Sequence, residues 1–267
     1  MPAAKSALSP VALTVAGSDN SCGAGAQADL KTFTANGCYG LTAVTCVVSE
    51  VPGRVEGIQA VSARLVASQI ALSLEAFPVG AAKTGMLFSA SIVNAVVNAF
   101  RGTGFPLVVD PVMVASSGDP LLQLPAIAAY KRRLFPMAAL VTPNLDELSL
   151  LVGRDIRSLR GMKEAGVALS REFGCAVLLK GGHLAGKSAI DLLIHGDGCE
   201  EFSAPFVRGV STHGTGCTYS AAITAGLARG LSLSESVGAA KRYVTAAISG
   251  TLRWGETQAL DHSAVSR

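Results

Sequence analysis

Residues 79–110 read VGAAKTGMLFSASIVNAVVNAFRGTGFPLVVD, and this stretch decides the fold. An apolar strand, Val79 to Lys83, is followed by a helix-period segment, Ala90 to Phe100, and then by a β-branched strand, Leu107 to Asp110. Two buried strands joined through a helix form a crossover unit, and crossovers join parallel strands. Outward from it the same alternation continues. Val11 to Val15, Leu140 to Thr142 and Ala176 to Lys180 read as further strands, and Ala24 to Asn36, Ala63 to Ala76, Ala126 to Leu134 and Met162 to Phe173 as further helices. The pattern predicts an α/β fold of three layers, a mainly parallel central sheet with helices on both faces. Ala189 to Ile194 and Glu201 to Phe206, around the turn residues His195 to Gly198, predict a hairpin beyond the main sheet. Helices over Thr215 to Arg229 and Ser234 to Ile248 close the chain, the second capped by Ser232 or Ser234.

Composition narrows the function. Of 267 residues, 49% are apolar and only 15% charged, against roughly 25% in ordinary soluble domains. Such a chain buries a large core and is not disordered. Length is compatible with a single domain over residues 10–267 behind a flexible segment 1–9. Arg64, Glu75, Lys83 and Arg229 interrupt the longest apolar runs before the roughly 18 residues that a membrane span needs. Met1 to Pro10 lacks the layout of a secretory signal, and the six cysteines form no CxxC pair, as expected of free thiols in the cytoplasm. A net charge of +3 without a basic run gives nucleic acid no footprint, so the expected ligand is a small molecule.

The strongest chemical signal is Ser211 to Thr218, STHGTGCT, directly before an Ala-rich helix. Glycines let the backbone approach an anion closely, and the free N–H groups of a first helical turn favour phosphate. Cys217 falls in that turn, where positive potential lowers a thiol's pKa, and is a candidate base or nucleophile. A helix start carrying a small buried cysteine gives the same pattern. The second signal is Thr142 to Glu147, TPNLDE, just beyond a strand's carboxyl end, where parallel sheets gather ligands. Asn144 and Glu147 either present an amide and a carboxylate to hydrated Mg²⁺ and phosphate, or form a helix-capping pair. Gly17 to Gly25, GSDNSCGAG, is a glycine-rich strand-to-helix turn that fits neither dinucleotide nor P-loop patterns. Asp29, one turn further, reads as a ligand to a substrate's polar group or as a solvated helix charge. Asp110 and Lys180 end two strands at the same sheet edge. His183 and His213 have no partner at zinc spacing, and no GxSxG elbow is present.

Taken in order, these motifs resemble the ribokinase-like hydroxymethylpyrimidine/phosphomethylpyrimidine kinases and their bacterial pyridoxal kinase relatives. The likeness runs from about Val11 to Ile248 and is carried by Ala16 to Asp19, Gly23 to Gly25, Gln27 to Thr32, Lys83 to Leu87, Asp110 to Met113, Thr142 to Glu147, Lys180 to His183 and His213 to Thr218. It implies ATP-dependent phosphorylation of a hydroxymethyl group on a heteroaromatic ring and of the resulting monophosphate, in thiamine synthesis. Cys217 is then the base, with Gly214, Thr215 and Gly216 stabilising the transferring group. Gly17, Asp29, Glu50, Met86 and Val112 bind the acceptor. Asn144, Lys180, Thr212 and Lys241 bind ATP, and Glu147 and Asp110 hold Mg²⁺. The resemblance and the apolar surplus both lean towards a homodimer.

Glu50 and Val51 stand where the pyrimidine kinases usually carry Gln-Asn, and a carboxylate cannot donate to a ring nitrogen as an amide does. Thr215 to Ala225, TGCTYSAAITA, is similar to the pyridoxal kinases, which makes pyridoxal or pyridoxine the alternative acceptor. A non-catalytic binding protein on the same scaffold is the remaining alternative, and the phosphate apparatus speaks against it.

Overall fold

The computed structural model describes residues 9–113, 124–182 and 188–264. The segment 1–9 falls outside them except for residue 9, and His183 falls outside them too. The first half contains β1 (Val11–Ala16), α1 (Gly25–Ala35), β2 (Tyr39–Val44), β3 (Cys46–Val51), β4 (Arg54–Ala60), α2 (Ala63–Ala76), β5 (Val79–Thr84), α3 (Ala90–Ala99) and β6 (Leu107–Val109). The second contains α4 (Leu124–Ala129), β7 (Leu140–Val141), α5 (Leu145–Val152), α6 (Leu159–Phe173), β8 (Ala176–Lys180), β9 (Ser188–His195) and β10 (Gly198–Pro205). It ends with α7 (Thr215–Ala228), α8 (Leu233–Ser249), β11 (Leu252–Trp254) and β12 (Thr257–Ala259).

Eight strands form one sheet in the order β10-β9-β8-β7-β6-β5-β1-β2. The crossover expected over residues 79–110 is present: β5 and β6 pair in parallel with Ala82 opposite Leu107 and Thr84 opposite Val109. Successive strand residues feed opposite layers, as the pleat requires. Leu107 and Val109 join Leu13, Val15, Val177 and Leu179 in a core with Val66 and Ile70 of α2 and Ile92, Val93, Val96 and Val97 of α3. Val108, Leu140, Ala176 and Leu178 face the other way, onto Tyr219, Ala222 and Ile223 of α7 and Val237, Ala240 and Val244 of α8.

Two expectations are corrected, and three strands are added to those expected. The hairpin β9–β10 lies in the main sheet rather than beyond it, because β9 pairs antiparallel with β8 and covers an edge otherwise left unpaired. The helix expected over Ala126 to Leu134 is α-helical only to Ala129. Tyr130–Leu134 forms a π turn and Phe135–Met137 a 3-10 turn containing Pro136, which cannot donate to an α ladder. The strands β2, β3 and β4 were not marked out by alternation, since β2 is a half-buried edge. The pair β3–β4 is a separate ribbon turning at Gly53, whose φ of +83° suits glycine. No helix among the described residues is long and apolar enough to cross a membrane.

Candidate active site

The loops following β1, β2, β5, β6 and β7 and the end of β8 meet the start of α7 at one edge of the sheet. Two helix N-termini converge there. Helix α1 begins at Gly25 and α7 at Thr215, and a Cβ added to Gly214 (φ +80°) would lie 1.8 Å from the Gly23 carbonyl oxygen. A Cβ on Gly25 (φ +60°) would lie 2.6 Å from the Gly17 oxygen. Both positions demand glycine for space as well as conformation.

The two helix ends are treated differently. Asp19 accepts N–H groups from Ser21 (2.7 Å), Gly23 (3.1 Å) and Ala24 (2.7 Å), so a carboxylate occupies the entry to α1. His213 Nε2 lies 3.3 Å from the same carboxylate. Burial alone would raise Asp19, but the bonds from His213, Ser21 and Ala24 bring it down to about 2. The Asp19 contact in turn holds His213 above the ordinary imidazole range. No side chain caps α7. The Thr215 amide is already given to the Thr212 carbonyl at 3.1 Å, while Thr215 Oγ1 is buried without a partner among the described residues. The positive end of α7 is thus open for an anion.

Three largely buried ion pairs lie on the face of the sheet that α7 and α8 cover. Lys83 Nζ donates to Asp29 Oδ1 at 2.7 Å, Lys180 Nζ to Asp110 Oδ1 at 2.9 Å, and Lys241 Nζ to Asp191 Oδ2 at 2.6 Å. The middle pair touches the helix start, for a Cβ on Gly216 would meet Lys180 Nζ at 3.3 Å and Asp110 Oδ2 at 3.7 Å. Buried pairs rarely repay their desolvation in stability, so three on one face of the sheet make this edge the candidate site. Asp110 also accepts from Thr142 (3.1 Å) and Ser220 (3.2 Å). Burial pushes Asp110 up, but Lys180 and Lys83 outweigh it and hold the group below the usual carboxylate range.

The phosphomethylpyrimidine kinase family profile matches residues 19–261. The chain belongs to this family. It is 44% identical over 247 residues to a hydroxymethylpyrimidine/phosphomethylpyrimidine kinase of Rhizobium meliloti, covering 92% of this chain and 93% of that protein. Pyridoxal kinase of Bacillus subtilis, solved as an ADP complex, superimposes with a TM-score of 0.90 at 35% identity, covering 97% of this chain and 99% of that one. The phosphomethylpyrimidine kinase of Clostridium difficile gives a TM-score of 0.78 at 36% identity, over 88% and 97% of the two chains. The chain is therefore a phosphotransferase with the ribokinase-like fold expected from its motifs.

Set against this kinase fold, the expected residues take the following places. Cys217, Gly214, Thr215, Gly216, Asp110 and Lys180 come together at the start of α7. Gly17 and Met86 adjoin one another, a Cβ on Gly17 lying 2.7 Å from Cys46 Sγ and 3.9 Å from Met86 Cβ. Val112, partly buried, follows Asp110 with its amide on the Asp110 carbonyl at 2.9 Å. Glu50, on β3, gives its amide to Asn20 Oδ1 at 2.7 Å. Burial and then the Asp19 charge raise its carboxyl, with His213 opposing. Thr212 is exposed, and Lys241 is buried on Asp191.

Several roles expected of these residues are corrected. Asp29 is neither solvated nor turned to an acceptor: it is 0% exposed, with Lys83 on one oxygen and Thr14 on the other at 2.6 Å. The Cys217 thiol is not lowered. Burial pushes it up to about 12, Asp29 and Asp110 adding to the rise while Lys83 and the Gly25 amide oppose it. Asn144 and Glu147 form a reciprocal capping box, each side chain accepting the other's amide at 2.9 Å. The Glu147 carboxyl also accepts the Met113 amide, and burial, with Asp110 adding to the rise, brings it up to about 7. Asp110 faces Lys180 rather than standing free as a metal ligand. Asp19, Lys83, Asp191 and Ser220 were given no role from the sequence. For Lys83 and Asp191 the available signal was a charge inside an otherwise apolar strand.

Proposed function

We propose that the chain transfers the terminal phosphoryl group of ATP to the hydroxymethyl group of hydroxymethylpyrimidine, and then phosphorylates the resulting monophosphate in thiamine synthesis. The observation that carries this reading is the uncapped first turn of α7, flanked by Lys180 and Cys217. Oriented amides and a cation at that turn stabilise charge on the transferring phosphoryl group, the main work in such reactions. Cys217 takes the hydroxyl proton as the acceptor oxygen bonds to phosphorus and the bond to the ADP oxygen breaks. The thiol is neutral at rest, so it first gives up its own proton to solvent, and Lys83 with the Gly25 amide stabilises the thiolate that then takes the hydroxyl proton. Gly17, Met86 and Val112 line the acceptor's ring, and Glu50 meets its polar edge. Asn144, Thr212, Lys180 and Lys241 face the nucleotide.

Mg²⁺ fits this edge in chemistry. Glu147, held up to about 7 by burial with Asp110 adding to the rise, is a carboxylate that gains from a nearby cation. Among the described residues there is no cluster of three or more potential metal ligands. That suits an ion held mainly by phosphates and water, with Glu147 as its protein carboxylate. When bound it neutralises phosphate charge.

Pyridoxal or pyridoxine as acceptor is the second reading, favoured by Glu50 and by the TM-score of 0.90 with a pyridoxal kinase. Purified protein with ATP and Mg²⁺, offered both pyrimidines and the pyridoxine vitamers, decides by mass detection of products. Mono- and diphosphorylated pyrimidine at the higher rate supports the first reading, faster turnover of the vitamers supports the second, and phosphorylation of neither overturns both.

A further inference from the structure

Asp191 lies on β9 directly across from Lys180 on β8, and its side chain ties two elements together. Oδ1 accepts the Gly181 amide at 3.1 Å and Oδ2 accepts Lys241 Nζ, on α8, at 2.6 Å. The Lys241 ammonium also stands 6.0 Å from the centre of the Tyr219 ring of α7. Gly181 has no latitude, since a Cβ there would lie 2.0 Å from the Ile190 carbonyl oxygen. Exposure is divided unevenly within the pairs: the side chains of Asp191 and Asp110 are each 3% exposed, those of Lys241 and Lys180 10% and 13%. The carboxylates are sealed and the ammonium groups keep a window, the arrangement that serves an arriving anion. A buried pair kept only for stability would gain nothing over apolar residues.

We propose that Asp191 is the positioning residue for the nucleotide phosphates: it fixes the Lys241 ammonium and the Gly181 amide in one corner beside Lys180. The inference rests on the reading that the nucleotide's phosphates lie at the start of α7. Asp191 acts through Lys241 and the end of β8, not by touching the nucleotide.

The test compares wild type with Asp191→Asn, Lys241→Met and the double variant. Asparagine still accepts the Gly181 amide, so the first substitution isolates the anchoring of Lys241. The expected result is a roughly tenfold loss of ADP affinity by titration calorimetry with a matching rise in KM for ATP, while kcat and KM for the acceptor stay within about twofold. The double variant, in which no charge is left unpaired, should fold and lose no more ADP affinity than either single one, since both act along one path. Unchanged ADP affinity in a folded Asp191 variant overturns the proposal. So does a uniform fall in kcat and both KM terms with melting temperature, or failure of both Asp191 variants to fold, since each would mark a structural residue. Wild type that binds no ADP and phosphorylates no acceptor would instead overturn the proposed function.

Discussion

The Lys180 ammonium lies 2.9 Å from the Asp110 carboxylate, at a point where a methyl group on Gly216 would touch both. A cation held by a buried acid, an open helix end and a thiol are thereby brought into one small volume. Each element is ordinary alone. Together they form a site where negative charge is received without water having to reorganise around it.

Cys217→Ala should lower kcat by roughly two to four orders of magnitude and leave acceptor affinity nearly intact, the pattern of a lost proton acceptor. Because the resting thiol sits up at about 12, the wild-type rate should climb with pH through the neutral and mildly alkaline range without a plateau. Steady-state kinetics across that range check both points, and a wild-type plateau near neutrality would argue against the thiol as base.

Glu147 makes the unliganded protein sensitive to pH. Its folded-state value of about 7 lies above the ordinary carboxylate value of 4.5, so the folded state binds the proton more tightly. The linked stability is present below about 4.5 and is lost as pH rises through about 7, of order 3 kcal/mol in all. Glu147→Gln should remove that part of the slope in thermal melts from pH about 5 to 8, and should weaken the Mg²⁺ dependence of turnover.

Gly214→Ala should destabilise the protein by well over 1 kcal/mol and abolish most activity, because its Cβ would sit 1.8 Å from the Gly23 oxygen. Gly102 also has positive φ, at +78°, but a Cβ there meets nothing within 4 Å. Gly102→Ala should therefore cost only about 1 kcal/mol with activity retained. Denaturant unfolding of the two variants separates conformational strain from the collision.

Glu50→Gln restores an amide that both donates and accepts. The ratio of kcat/KM for hydroxymethylpyrimidine over pyridoxal should rise by roughly tenfold or more, since unpaired polar groups at a ring edge discriminate strongly. A ratio unmoved by the exchange would remove Glu50 from acceptor recognition.

Much of the fold was legible locally. The run from Val79 to Asp110 carried its strand, helix and strand in periodicity alone, and of the two caps offered for α8, Ser232 or Ser234, the structure uses Ser232 in a capping box with Glu235. The ribbon β3–β4 was not legible, because its residues are largely exposed and answer to the β1 loop: the Ser18 amide bonds the Cys46 carbonyl at 2.9 Å. At the site, the glycines and Cys217 announced an anion cradle. The raised thiol was invisible, since its cause is burial beside Asp29 and Asp110, which come from other elements.

What the chain determined by itself is the order of its elements and the chemistry at their ends, because period, glycine placement and capping act over a few neighbouring residues. Which charges meet was decided only by the tertiary structure. Asp29 reaches Lys83, and Asp110 reaches Lys180, 54 and 70 residues away along the chain, because strand order and the packing of α1 beside α7 bring those side chains together. Desolvation there, a property of the packed whole, makes each acid require its lysine.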